Sequence, residues 1–112
     1  MTCRTFIETP TFTRKWYELG LDDEELRLMQ NVLLKNPKFG NAIKGTGGLR
    51  KIRVALESQG KGKRGGARVL YVDVEIKETI YLVNIYSKKE QTDITPDEKK
   101  ALKAVVQVLK EE

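Results

Sequence analysis

The pattern of apolar and polar positions along this chain predicts four strands and three helices. In chain order, we expect a strand at 3–8, helices that begin at Pro10 and after Asp22, strands at 50–56, 67–74 and 79–86, and a helix that begins at Pro96. The order β-α-α-β-β-β-α predicts an α+β domain, with an antiparallel sheet and helices packed on one of its faces. A chain of 112 residues has the usual size of one domain, so we expect a single domain spanning residues 1–112.

Capping patterns mark where two of these helices begin. Asp22 is followed three residues later by Glu25, and Thr95 is followed three residues later by Glu98. In such a capping box, each side chain accepts a hydrogen bond from the other residue's backbone N–H. These two helix starts are therefore the most sharply predicted boundaries in the chain.

The strand that follows the glycine-rich connection at 38–49 alternates between apolar and polar residues. Its apolar residues Ile52 and Val54 belong to one face, and Lys51 and Arg53 belong to the other. The pattern therefore predicts two neighbouring cations on the face of the sheet that points away from the core.

Positive charge is concentrated in one part of the chain. The net charge is +5, but residues 44–68 contain eight lysines and arginines and one acid, Glu57, which gives this segment +7 and leaves −2 for the rest. Such a local excess is typical of a surface that binds a polyanion. The segment includes a polar, glycine-rich hairpin connection whose cations are Lys61, Lys63 and Arg64. This loop lacks the residue order of a nucleotide P-loop, and a strand follows it.

Several classes of site and of protein are disfavoured by composition. The chain contains no histidine, which is the commonest general base and metal ligand, and its one cysteine, Cys3, cannot form an intrachain disulfide. No stretch approaches the roughly 20 apolar residues of a membrane span, and the N-terminus does not resemble a signal peptide. We therefore expect a cytoplasmic protein without a metal site, whose chemistry depends on Lys, Arg, Tyr, Asp or Glu.

Three stretches together resemble the RelE/ParE superfamily of bacterial toxins, and most closely its HigB-type members. They are GTGGLRKIR (45–53), GKGKRGGARVLYV (60–72) and IYLVNIYSKKE (80–90). The resemblance implies a RelE-like fold and the toxin of a type II toxin–antitoxin system. It also implies an endoribonuclease that needs no metal or cofactor and cleaves mRNA in the A site of the 70S ribosome. The expected partners are the ribosome, its mRNA and an antitoxin of the helix-turn-helix, HigA-like kind.

The resemblance also assigns candidate site residues. The catalytic residues it implies are Lys51, Arg53, Arg68 and Lys89. Further RNA-binding candidates are Arg50, Lys61, Lys63, Arg64, Tyr86 and Lys88. Thr95 stands near the position of the catalytic tyrosine of RelE, and Tyr86, on the preceding strand, is its possible substitute.

The chemistry expected of this site is attack of an RNA 2′-hydroxyl on the adjacent phosphate. Arg53 and Arg68 would stabilise the developing charge, and Lys89 would protonate the leaving oxygen. Lys51 is the candidate base, with Glu90 as the alternative.

Two other functions fit the same sequence features. A ParE-type poison of DNA gyrase shares the fold but cleaves no RNA, and a non-catalytic module that binds RNA or the ribosome would keep the basic surface alone.

Overall fold

A computed structural model describes residues 3–56, 66–91 and 93–111. The strands are β1 (Thr5–Glu8), β2 (Asn41–Ala42), β3 (Leu49–Val54), β4 (Ala67–Val74) and β5 (Thr79–Ser87), and the helices are α1 (Pro10–Glu18), α2 (Asp23–Lys35) and α3 (Pro96–Glu111). One sheet contains all five strands in the order β1-β5-β4-β3-β2. The α+β class and the order of the predicted elements are confirmed.

The expectation of a purely antiparallel sheet is wrong at one edge. β1 pairs in parallel with β5, whereas β5, β4, β3 and β2 pair antiparallel. After β1, the chain passes through α1, α2 and the strands β2, β3 and β4, and it returns beside β1 only at β5. Strand β2 was not predicted, because two residues are too few to show an alternating pattern.

The helices cover both faces of the sheet, which corrects the prediction that they pack on one face. On the first face, Phe12 and Trp16 of α1 and Leu33 of α2 are buried with Val69 of β4. On the second face, Val106 of α3 is buried with β3 and β4 residues. The physical reason is that β4 and β5 are apolar on both faces, so that each face needs a cover.

Both predicted capping boxes are confirmed. In α2, the Asp22 carboxylate accepts a hydrogen bond from the backbone N–H of Glu25 (2.8 Å), and the Glu25 carboxylate accepts one from Asp22 (3.1 Å). The same exchange joins Thr95 and Glu98 at the start of α3. No helix of the described residues is both long enough and apolar enough to span a membrane.

Candidate nucleic-acid interface

The register of the three central strands brings predicted cations together. Arg53 of β3 lies directly opposite Arg68 of β4, and Arg68 lies opposite Tyr86 of β5. Lys51 lies two residues before Arg53 and therefore on the same face. We call Lys51, Arg53, Arg68 and Tyr86 the basic cluster. The predicted alternation of β3 is confirmed, because Ile52 and its apolar neighbours pack into the core on the first face. The prediction that the face of Lys51 and Arg53 points away from the core is wrong, because Leu49 on the same face is buried in a second core with Val106 of α3.

Arg68 is the most buried cation of the basic cluster. Its residue is only 4% exposed, and its guanidinium Nη1 donates a hydrogen bond to the carbonyl of Ala67 at 3.2 Å. Burial lowers the pKa of Arg68, and the positive charge of Arg53 lowers it further. Two like charges directly opposite each other on a sheet oppose folding. A phosphate placed between them would remove that repulsion.

Tyr86 brings a buried hydroxyl to the same cluster. The residue is 2% exposed, and within the described residues its hydroxyl has no hydrogen-bond partner. Burial raises the pKa of Tyr86, the nearby carboxylate of Asp93 raises it further, and Arg68 opposes both effects. A buried polar atom without a partner is uncommon in folded proteins and is often found at functional sites. Within the described residues, the hydroxyl therefore has unused hydrogen-bonding capacity on the strand next to Arg68.

Asp93 adds a carboxylate that sequence reasoning missed. Its Oδ1 lies 3.7 Å from Nζ of Lys51 and accepts a hydrogen bond from the backbone N–H of Ile94 at 2.8 Å. That backbone hydrogen bond, together with the positive charges of Lys51 and Lys99, lowers the pKa of Asp93. The carboxyl group is therefore ionised at neutral pH. An acid following the last strand was the available signal, but no spacing in the sequence links it to Lys51.

An open cleft of about 650 Å³ lies beside Lys51, Arg53 and Asp93. Phe39 and Asn41 also line it, and Lys99 of α3 contributes a third cation. Phe39 and Lys99 were not predicted as site residues either. The cleft is wide and polar enough to admit part of a nucleic-acid strand next to the cluster.

The structure separates Arg50 from this site. Because side chains alternate along β3, Arg50 lies on the same face as Ile52. Its Nη1 donates hydrogen bonds to the carbonyls of Gly40 (2.7 Å) and Lys38 (3.2 Å). Its guanidinium therefore fastens the loop before β2 to the sheet.

Three of the remaining predicted residues follow β5. Lys88 and Lys89 are exposed in the turn after β5. In the same turn, the Glu90 carboxylate accepts hydrogen bonds from the backbone N–H and the hydroxyl of Ser87. Lys61, Lys63 and Arg64 lie outside the described residues.

Comparisons with known proteins place this architecture in one family. A family model described as the RelE toxin of the RelE/RelB toxin–antitoxin system matches residues 4–112. Among solved structures, the chain is similar to a double arginine-to-alanine mutant of the E. coli toxin RelE in the free state, with a TM-score of 0.59 and 16% identity over 82% of this chain and 90% of that one.

Two further E. coli structures show the same fold. The intact RelBE toxin–antitoxin complex gives a TM-score of 0.56 and 16% identity over 73% of this chain and 93% of that one. The isolated RelE toxin gives 0.55 and 15% identity over 89% and 96%. The resemblance to the RelE/ParE superfamily is confirmed, and the greater likeness to HigB-type members stays a prediction. Because the family model covers almost the whole sequence, this chain belongs to the RelE toxin family of toxin–antitoxin systems.

Proposed function

We propose that this toxin is an endoribonuclease that cleaves mRNA in the A site of the ribosome and thereby stops translation and growth. The observation that carries the proposal is the opposed pair Arg53 and Arg68, held on one sheet face with Lys51 and with a Tyr86 hydroxyl that has no hydrogen-bond partner among the described residues. Two guanidinium groups opposite each other suit a phosphate that gains negative charge during the reaction.

In the proposed reaction, the RNA 2′-oxygen forms a bond to the adjacent phosphorus while the bond from phosphorus to the 5′-oxygen breaks. The products are a 2′,3′-cyclic phosphate and a free 5′-hydroxyl. Arg53 and Arg68 donate hydrogen bonds to the non-bridging oxygens, whose negative charge increases in the transition state. The planar guanidinium fork can contact two of these oxygens at once.

One proton must leave the 2′-hydroxyl and another must reach the leaving 5′-oxygen. We assign the first transfer to Asp93, because its carboxylate is ionised and lies beside Lys51 at the cleft. Lys51 then stabilises phosphate charge and is positioned by Asp93. Glu90 is less suited as base because its carboxylate already accepts two hydrogen bonds from Ser87. Lys89 remains the proposed proton donor to the 5′-oxygen.

A site that lacks histidine is expected to be slow on free RNA. Entry into the A site would hold the message in a reactive geometry and supply the orientation that the side chains do not provide. For this reason we propose the translating 70S ribosome, with its mRNA, as the target.

We also propose that a cognate antitoxin neutralises this chain. The RelE in one of the similar structures is bound in a toxin–antitoxin complex. The helix-turn-helix, HigA-like character of the partner rests on the sequence resemblance. Co-expression with the neighbouring open reading frame, followed by co-purification, tests it.

The test of the proposed function uses single alanine variants of Lys51, Arg68 and Lys89. Each is expected to relieve growth arrest and to reduce cleavage at the A-site codon in a translating extract by about 100-fold or more. The products should carry 2′,3′-cyclic phosphate and 5′-hydroxyl ends. Matched controls are Lys35→Ala and Arg14→Ala, which remove exposed cations from the helices on the other face and should leave cleavage unchanged.

Two results would contradict the proposal. Full activity in all three variants would remove the proposed site from the reaction. Growth arrest with an intact message and gyrase-dependent DNA breaks would show that the chain poisons gyrase and does not cleave RNA.

A further inference from the structure

Phe39 presents an aromatic ring to solvent at the edge of the cleft. It lies between α2 and β2 and is 61% exposed, whereas phenylalanine side chains are usually buried. It is one of three phenylalanines in the sequence. Phe39 lines the same cleft as Lys51, Arg53 and Lys99. An aromatic side chain beside several cations is the combination that proteins use to hold single-stranded nucleic acid, with phosphates on the cations and a base on the ring.

Hydrogen bonds fix the backbone around Phe39 to the sheet, so the exposed position of Phe39 is determined by the fold. The Phe39 N–H donates a hydrogen bond to the carbonyl of Asn36 at 2.9 Å. The next N–H, that of Gly40, donates to the hydroxyl of Tyr71 at 2.8 Å, and this hydroxyl donates in turn to the carbonyl of Pro37 at 2.8 Å. Tyr71 itself is fully buried.

Gly40 shows how closely this loop approaches the sheet. A Cβ at position 40 would lie 2.6 Å from Cγ2 of Ile52, 2.8 Å from the Tyr71 ring and 2.9 Å from the carbonyl oxygen of Lys51. Only glycine permits this approach, and the Gly40 carbonyl accepts a hydrogen bond from Nη1 of Arg50. The backbone that carries the Phe39 ring therefore has little conformational freedom. This reduces the conformational entropy that the protein loses when a ligand stacks on the ring.

We propose that Phe39 is a stacking platform for an unpaired base of the RNA whose phosphate lies at the basic cluster. The inference rests on the proposed function, since it takes RNA as the substrate. Phe39 also borders an apolar groove formed with Leu28 and Val32 of α2, which a protein partner could fill. The cations of the cleft favour RNA, because a base on Phe39 would place its backbone phosphates within the field of Lys51, Arg53 and Lys99.

The test measures binding without cleavage. The probe is a short single-stranded RNA with 2′-O-methyl groups, which cannot be cut by 2′-hydroxyl attack, and with 2-aminopurine at one position. Stacking on Phe39 should quench the 2-aminopurine fluorescence. Phe39→Ala and Phe39→Leu should weaken binding by roughly 5- to 150-fold, and Phe39→Trp should retain it, because stacking needs a π face and not merely apolar surface.

Leu28→Ala is the matched control for the apolar groove, and RNA affinity should not change in it. The urea midpoints of the Phe39 variants should equal that of the parent chain, because the ring is largely exposed. Equal RNA binding by Phe39→Leu and the parent chain would overturn the inference. So would a loss of antitoxin binding, but not of RNA binding, in both Phe39→Ala and Leu28→Ala.

The two proposals fail separately. If the parent chain cleaves mRNA on ribosomes but Phe39→Leu binds the probe normally, only the stacking role is wrong. If probe binding depends on the aromatic ring but no message is cut, the endoribonuclease function is wrong and the base platform stands.

Discussion

Arg53 and Arg68 occupy positions that folding alone would not favour. They are direct cross-strand partners, and the burial of Arg68 reduces the water that would otherwise screen their repulsion. Clustered cations of this kind are common at sites that bind an anion. At the scale of single residues, function and stability therefore conflict here.

Arg53→Gln should make the chain more stable and less active. We expect the free energy of unfolding to rise by about 0.5 kcal/mol, because the substitution removes one of two opposed like charges. The gain should shrink in 0.5 M salt, where the repulsion is screened. Urea unfolding at low and high salt measures it, with Arg14→Gln on α1 as control. A gain of equal size at both salt concentrations would mean that charge repulsion is not its cause.

The pH dependence of cleavage can identify the proton acceptor. The pKa of Asp93 is lowered, so the carboxylate is ionised at every pH from 6 to 9, and its availability as base does not change over that range. The neutral amine of a lysine base, in contrast, would become about ten times more abundant for each unit by which the pH rises, as long as the pH is below the pKa of an ordinary lysine. We therefore expect single-turnover cleavage on programmed ribosomes to show no tenfold rise per pH unit.

The same assignment predicts the behaviour of one substitution. Asp93→Asn should slow cleavage by about 100-fold, because the amide cannot accept the 2′-hydroxyl proton. Asp97→Asn, an exposed acid in the first turn of α3, serves as control. Normal cleavage by Asp93→Asn would exclude Asp93 and leave Lys51 and Glu90 as candidate bases. A steep rise with pH would select Lys51.

Sequence reasoning located the residues that lie on regular structure. The alternation of β3 predicted the shared face of Lys51 and Arg53, and the same alternation places Arg50 on the opposite face. Asp93 and Phe39 lie in connections without periodicity, and each comes to the cleft only through long-range packing. Their contribution could not be read from the chain, because spacing along a loop does not determine a distance in space.

At the scale of elements, local signals were reliable and long-range pairing was not. The capping boxes of α2 and α3 depend on residues three positions apart, and both form as predicted. The parallel pairing of β1 depends on β5, more than 70 residues along the chain. Nothing within β1 itself distinguishes a parallel partner from an antiparallel one.

One ion pair ties this parallel edge to the sheet interior. Arg4, just before β1, donates to both carboxylate oxygens of Asp73 on β4, with Nε 2.7 Å from Oδ1 and Nη2 3.2 Å from Oδ2. The Asp73 side chain is 3% exposed. Arg4→Met should lower the free energy of unfolding by about 3 kcal/mol in urea titrations, because it leaves a buried carboxylate without its cation.

Two further variants separate this effect from a general loss of charge. Arg27→Met removes a cation from an exposed pair with Glu24 and should change stability by less than about 0.5 kcal/mol. Arg4→Met combined with Asp73→Asn should recover part of the loss, since no buried charge remains. A double variant no more stable than Arg4→Met would show that packing around Arg4, and not the unpaired charge, sets the cost.

At the scale of the whole molecule, one sheet separates two apolar cores. Val69 and Tyr71 belong to the core beneath α1 and α2, whereas Leu70 and Val72, on the same strand, belong to the core beneath α3. Each core thus depends on the other to keep β4 in place. This arrangement also accounts for a fold shared with E. coli RelE at only 16% identity, since burial on both faces constrains the character of these positions more than their identity.

The shared strands predict that both cores unfold together. Val106→Ala on α3 removes two buried methyl groups from the second core and should lower the free energy of unfolding by about 2 kcal/mol. Trp16, the one tryptophan of the sequence, is buried in the first core, so its fluorescence reports the face opposite the substitution. If the sheet couples the cores, the urea midpoint followed by Trp16 fluorescence should fall by the same amount as the midpoint followed by circular dichroism.

Val105→Ala, an exposed position one residue earlier, should leave both midpoints nearly unchanged. An early transition in circular dichroism, with the fluorescence midpoint unmoved, would show instead that α3 detaches from a sheet that the first core can hold by itself.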